Sequence, residues 1–171
     1  MAEFGPAFER TILNEGGYQL VNVKADRGGQ TYAGIARNYH PNWPGWRYID
    51  KRDMEKLELS ALVRDFYETQ FWDKISGEKI NSQVIAEALF DFGVNAGPVM
   101  AIKLAQLALG VVLDGRIGPV TLEKLNHIDE RQFVLNYTVA KIARYAEICN
   151  KDRNQAKFLL GWINRTMRGL A

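Results

Sequence analysis

One cysteine and two histidines are all the thiol and imidazole that this 171-residue sequence offers. Cys149 alone excludes an internal disulfide, and in its apolar helical run it reads as a small buried residue. His40 and His127 lie far apart beside turn signals and lack the neighbours of a metal site, so neither a metal nor a cofactor is expected. A Cys-His nucleophilic pair has thin support, since neither histidine accompanies a motif. Prolines number five, and no Pro/Ser-rich or low-complexity stretch divides the chain, which predicts one compact fold with two lobes. Gly28-Gly29 is followed by strand-forming residues rather than a helix, which removes a phosphate-binding loop. The net charge of +2 is modest, and no aromatic-basic motif accompanies it, so no nucleic-acid partner is expected.

What the sequence does have is concentrated near its start. Phe4, Phe8, Ile12 and Leu13 recur at about one helical turn and predict a helix with one buried face, Glu15 being its last polar residue. Gly16-Gly17 supplies the positive φ that ends it. Apolar positions alternate from Tyr18 to Val23, Asp26-Arg27-Gly28-Gly29 is a turn signal, and a second short strand is predicted near Gln30 to Tyr32. Asp26 and Thr31 then stand near the mouth of a small hairpin.

Cleavage of a glycosidic bond usually needs one carboxyl group protonated and a second ionised. Glu15, among Phe8, Ile12 and Tyr18, is a candidate for a raised pKa because desolvation disfavours its charged form. Asp26 in its glycine-rich turn is expected to stay ionised, and Thr31 to hydrogen-bond a water. Taken singly, each reads as an ordinary helix, Asx-turn or strand residue. Together they favour a site.

Glu15-Gly16-Gly17-Tyr18, followed by Asp26, Gly28, Gly29, Thr31, Gly34 and Ile35, resembles the family 108 glycoside hydrolases, N-acetylmuramidases of phage and bacterial origin. The resemblance implies a mainly α, lysozyme-like α+β fold and hydrolysis of the β-1,4 bond between N-acetylmuramic acid and N-acetylglucosamine in peptidoglycan. It also implies that Glu15 is the catalytic acid. The order Glu, Asp, Thr is similar to the triad of T4-type phage lysozymes, although the spacing differs. The expected catalytic residues are therefore Glu15, Asp26 and Thr31, with Tyr18, Gly29, Tyr32 and Asn95 as substrate contacts. Asn95 belongs to a run, Leu89 to Gly97, that also looks like the family's pattern, on a helix predicted over 82–95. There Ile85, Ala88, Leu89 and Phe92 face a core, and Glu87, Asp91 and Asn95 line a polar stripe that faces either a glycan cleft or water.

A second resemblance covers the C-terminal half. Leu104 to Gly110, then Val112-Leu113-Asp114-Gly115-Arg116-Ile117-Gly118-Pro119-Val120-Thr121, looks like the peptidoglycan-binding module that accompanies these enzymes. A tight turn between packed helices that binds nothing explains the same residues, with Gly110 ending one helix and Pro119 beginning the next. The expected lobes are a catalytic one over 1–98 and a helical, peptidoglycan-binding-like one over 99–171. Further helices are predicted over 59–72, 99–109, 121–126, 130–149 and 154–169, and strand only near 18–32. The loop holding Tyr39, Trp43, Trp46 and Tyr48, with Pro41 and Pro44, reads as non-helical and either walls a cleft or seals the core.

Residues 1–98 carry 11 Lys and Arg against 14 Asp and Glu, while residues 99–171 carry 11 against 6. Lys151, Arg153, Lys157, Arg165 and Arg168 gather near the end, which draws such a surface toward anionic wall polymers or phospholipid headgroups, or is a solvated helix face. Met1 to Arg10 resembles neither a signal peptide nor a membrane span. Synthesis in the cytoplasm and action in the periplasm or cell wall after release are expected, with dependence on a holin or a secretion system, as a monomer. The partner is the glycan strand of peptidoglycan. The rival readings are a non-catalytic peptidoglycan-binding protein and a lytic transglycosylase.

Overall fold

A computed structural model describes residues 1–14, 16–22 and 28–168. It is mainly helical with one small antiparallel sheet, as a lysozyme-like α+β fold requires. Contacts group the chain into two compact units, Phe4–Gln70 and a second formed by Met1–Glu3 with Phe71–Ala171.

The first unit holds α1 (Phe4–Asn14), β1 (Leu20–Asn22), β2 (Gln30–Tyr32), β3 (Ile35–Ala36), α2 (Trp46–Asp50) and α3 (Leu57–Tyr67). Along α1, Phe4, Ala7, Phe8, Thr11 and Ile12 are all buried, the spacing of a helix laid on a core. Phe8 meets the edge of Tyr67 with ring centres 5.6 Å apart. β1 and β2 pair antiparallel with Leu20 opposite Tyr32 and Val21 opposite Thr31, which is the expected hairpin. The sequence reading missed β3, which pairs with β2 through Tyr32 opposite Ile35. The joining residues, Ala33 at φ 48° and Gly34 at φ 78°, are both left-handed, the backbone of a tight type I′ connection. An alanine there costs about 1–2 kcal/mol, and three fixed groups hold it. Its N–H donates to the Gln19 carbonyl at 3.2 Å, its carbonyl accepts the buried Tyr67 hydroxyl at 2.9 Å, and its methyl is buried.

Two helix expectations are corrected in this unit. Residues 46–50, read as loop, form α2, because the Trp46 indole N–H reaches the His40 carbonyl at 2.7 Å and anchors a helix too short to show periodicity. The helix expected over 59–72 is α-helical only over Leu57–Tyr67, and Glu68–Trp72 is a π-helical turn.

The second unit contains α4 (Gln83–Ala96), α5 (Pro98–Leu109), α6 (Pro119–His127), α7 (Glu130–Lys151) and α8 (Ala156–Arg168). Their ends follow local chemistry. The Ser82 hydroxyl accepts the Ile85 N–H at 3.1 Å, Asp129 accepts that of Gln132 at 2.9 Å, and Pro98 and Pro119 stand in first turns where no N–H is missed. α4 packs against both α5 and α7. Its burial is accordingly wider than the single face expected, with Ala86 and Phe90 buried beside Ile85, Leu89 and Phe92, and Ala88 only half-buried. Phe92 meets the edge of Tyr137 from α7 at 5.9 Å, whose hydroxyl donates to the Ala101 carbonyl of α5 at 3.1 Å. Cys149 is buried, as its apolar run predicted. Among the described residues no helix is long and apolar enough to cross a membrane.

Candidate functional site

The carboxylates expected to do the chemistry, Glu15 and Asp26, lie outside the described residues. The residues on either side of Glu15 are described. Past α1, Gly17 N–H donates to the Ile12 carbonyl at 2.8 Å and Gly16 N–H to that of Leu13 at 3.2 Å. Gly16 sits at φ 91° and Gly17 at φ 72°, so the helix is closed by backbone bonds that only a residue without Cβ makes at low cost.

Tyr18 follows directly and is 45% exposed. Its ring lies 6.5 Å from that of Tyr32, and Tyr32 stacks on Trp43 at 6.4 Å, with Trp46 edge-on to Trp43 at 5.1 Å. Tyr32, Trp43 and Trp46 are buried. They make an aromatic wedge of which Tyr18 is the exposed end, backed by Tyr32. The Tyr18 phenol is held above its ordinary pKa, chiefly by burial, with Arg64 opposing and Glu9 reinforcing. Burial likewise raises that of Tyr32. Tyr39, at the other end of the loop, is exposed.

Thr31 is half-buried on the central strand, and its hydroxyl donates to the Gly29 carbonyl at 3.4 Å, a long bond that leaves its lone pairs available. Gly29 is fixed twice over. Its φ is 67°, and a Cβ there would come within 2.9 Å of the Asn38 side-chain nitrogen. Backbone bonds from Asn38 to Gly28 at 3.1 Å and from Arg37 to Gln30 at 2.8 Å extend the β2–β3 pairing past Gly29. Asn38 and Tyr67 are thus supports that the sequence reading missed. An aromatic at helical spacing and an asparagine in a turn carry no signal of what they hold.

Asn95 is exposed on the last turn of α4, in the second unit. The polar stripe it ends is not merely solvated: Glu87 accepts the Gln83 amide at 2.9 Å, and Asp91 pairs with Arg165 of α8 at 3.3 Å. His40 is structural, its ring edge-on to Phe66 at 4.7 Å. Among the described residues no group of three or more His, Cys, Asp or Glu side chains could hold a metal ion.

The Asp114–Thr121 turn is built around Gln106, a buried amide to which sequence reasoning gave no role. Its carbonyl oxygen accepts the Gly115 N–H at 2.9 Å. Its nitrogen reaches Asp114 Oδ1 at 2.7 Å, the Arg116 carbonyl at 3.0 Å and Thr121 Oγ1 at 3.2 Å. The Gln106 amide, with the Arg116 N–H, holds the Asp114 carboxyl below the usual carboxylate range.

Comparison with known proteins places these features. A family model described as "Glycosyl hydrolase 108" matches residues 8–97, and one described as "Predicted Peptidoglycan domain" matches residues 100–167. No curated protein matches the chain. Among solved structures, that of Brucella abortus SagA is similar at 26% identity, over 97% of this chain and 90% of that one, with a TM-score of 0.70.

Proposed function

This chain belongs to the glycosyl hydrolase 108 family and is a glycoside hydrolase acting on peptidoglycan, and from that premise we propose that it cleaves the β-1,4 bond between N-acetylmuramic acid and N-acetylglucosamine. Glu15 is the general acid, Asp26 the base or electrostatic partner, and Thr31 the residue that positions water. Tyr18, supported by Tyr32, and Gly29, which lets the strand pass close beside Asn38, contact the glycan, as does Asn95. Catalysis belongs to residues 1–98 and wall binding to residues 99–171, a division supported by the matches over 8–97 and 100–167. The enzyme acts in the periplasm or wall after release from the cytoplasm.

The observation that carries this reading is the span of the first match, which contains both motif halves, together with the sheet that holds Thr31. Thr31 stands on β2 between β1 and β3, the best-anchored position a three-strand sheet offers. Positioning a water needs such rigidity, because hydrogen-bond reach is only about 2.6–3.2 Å. An ionised Asp26 acting through water inverts the anomeric centre.

Purified peptidoglycan digested by the wild type should release fragments with reducing muramic acid ends, read by mass spectrometry. Products lighter by one water would assign a lytic transglycosylase, and retention on the wall without release would assign a binding protein. Glu15→Gln should fold normally and lose at least about a hundredfold in rate, the lower end of what acid catalysis contributes. Near wild-type clearing by that variant refutes the assignment.

A further inference from the structure

Helix α8 is seated on α7 and, through Arg165, on α4. Trp162 stacks on Tyr145 at 5.2 Å, the Thr166 hydroxyl meets that of Tyr145 at 3.4 Å, and Arg165 pairs with Asp91 at 3.3 Å. The residues turned away from that contact are Lys157, Leu160, Gly161, Asn164 and Met167, at the three- and four-residue steps of a single stripe. Leu160 is 71% exposed and Met167 50%, while Phe158 stands on the other side of the helix, its ring 6.0 Å from that of Trp162.

The charge on this segment has one sign. From Arg153 to the end the sequence has Arg153, Lys157, Arg165 and Arg168 and no acidic residue. The preceding carboxylate, Asp152, accepts the Asn154 N–H and the Gln155 amide, each at 3.0 Å, and Glu147 is paired with Lys151 at 2.6 Å. Lys157 lies over the Phe158 ring at 5.0 Å, which sets an ammonium group directly beside an exposed aromatic.

A solvated helix face does not need large apolar side chains in water, and a soluble polyanion would satisfy the cations while leaving Leu160 and Met167 wet. A lipid headgroup layer meets both demands, because it offers negative charge at the surface and an acyl boundary just beneath it. We propose that the outer face of α8 is a docking surface for an anionic phospholipid bilayer, with Leu160 and Met167 entering the interface and Lys157 and Arg153 at the headgroups. The helix lies along the membrane and does not span it. This surface works independently of the hydrolytic site.

The test is flotation of the full-length protein with vesicles of phosphatidylcholine containing about one-quarter phosphatidylglycerol, and with vesicles of phosphatidylcholine alone. The wild type should float with the anionic vesicles and remain in solution with the neutral ones. Lys157→Glu and Leu160→Ser should each lower the partition coefficient about tenfold. Both sites are exposed, so the thermal midpoint should not change. Val139→Ser, an exposed apolar site on α7 at 65%, should bind as the wild type does. Four results overturn the proposal. They are no flotation, equal flotation on both vesicle types, loss in Val139→Ser as large as in Leu160→Ser, and loss confined to Lys157→Glu, which would make the face a site for soluble polyanions.

Discussion

Replacing Gln106 by leucine tests whether one amide holds the turn between α5 and α6. The side chains are similar in size, so the change deletes hydrogen bonds and leaves no large void. Not every bond counts equally. Asp114 and Arg116 are exposed and water takes the place of the amide nitrogen there. Gly115 and Thr121 are buried, and water cannot reach them without opening the turn. An orphaned buried N–H costs about 1–3 kcal/mol, and the lost bond to Thr121 adds about 0.5–1.5 kcal/mol. The expected loss is therefore about 2–4 kcal/mol, or roughly 4–16 °C in thermal midpoint for a chain of this size. Urea unfolding followed by tryptophan fluorescence and far-ultraviolet circular dichroism reads it directly. A second variant fixes the cause: Gln106→Glu keeps an acceptor for Gly115 but sets a carboxylate against Asp114, so its deficit should shrink as acid protonates the pair. A loss below about 0.5 kcal/mol for Gln106→Leu would show that the turn holds itself, and the reasoning would fail.

Tyr67→Phe removes the donor to the Ala33 carbonyl and should cost about 1–3 kcal/mol in urea unfolding, since the acceptor stays buried. If the Ala33-Gly34 turn positions the sheet, peptidoglycan hydrolysis should fall in the same variant. Gly29→Ala should lose about 1–2 kcal/mol from its positive φ alone, and adding Asn38→Ala should relieve the contact but not that strain, so the double variant should recover only in part. Lys141 is held below the usual lysine pKa, chiefly by burial, with Asp91 opposing and Arg165 reinforcing. Its folded pKa lies below the unfolded value of about 10.4, so the penalty is fully present at neutral pH and fades as pH rises between the two. Lys141→Met should flatten that alkaline rise in stability, and an unchanged slope in a pH series of urea midpoints would refute it.

The helices were legible wherever their ends carry chemistry. Ser82, Pro98, Gly110, Pro119 and Asp129 mark boundaries that the structure reproduces within a residue or two, because caps are local. β3 was not legible, since Ala33-Gly34 lacks the asparagine or aspartate that signals a two-residue turn, and what holds it is Tyr67, distant in sequence. α2 escaped for want of length, and the π-helical turn after Tyr67 because its residues keep a helical spacing of aromatics. The Glu15 to Ile35 motif lies within the span of the family match, while Glu15 and Asp26 themselves fall outside the described residues. The supports of this motif were not legible, because Asn38 beside Gly29 and Trp43 beneath Tyr32 are tertiary neighbours. Gln106 shows the same limit: a glutamine among apolar residues has no assigned role until the turn it fastens is seen.

The first family match stops at residue 97, one residue after α4 ends, yet α4 is enclosed by α5 and α7. Phe92 rests on Tyr137, and Gly93 brings the helix backbone within reach of Pro98 and Ala101. The unit of inheritance and the unit of packing therefore do not share a border. Swapping one C-terminal helical segment for another at that point, in evolution or in a chimera, carries a condition. The incoming helices must present the same socket to α4, or the N-terminal half arrives with a greasy helix and nowhere to put it.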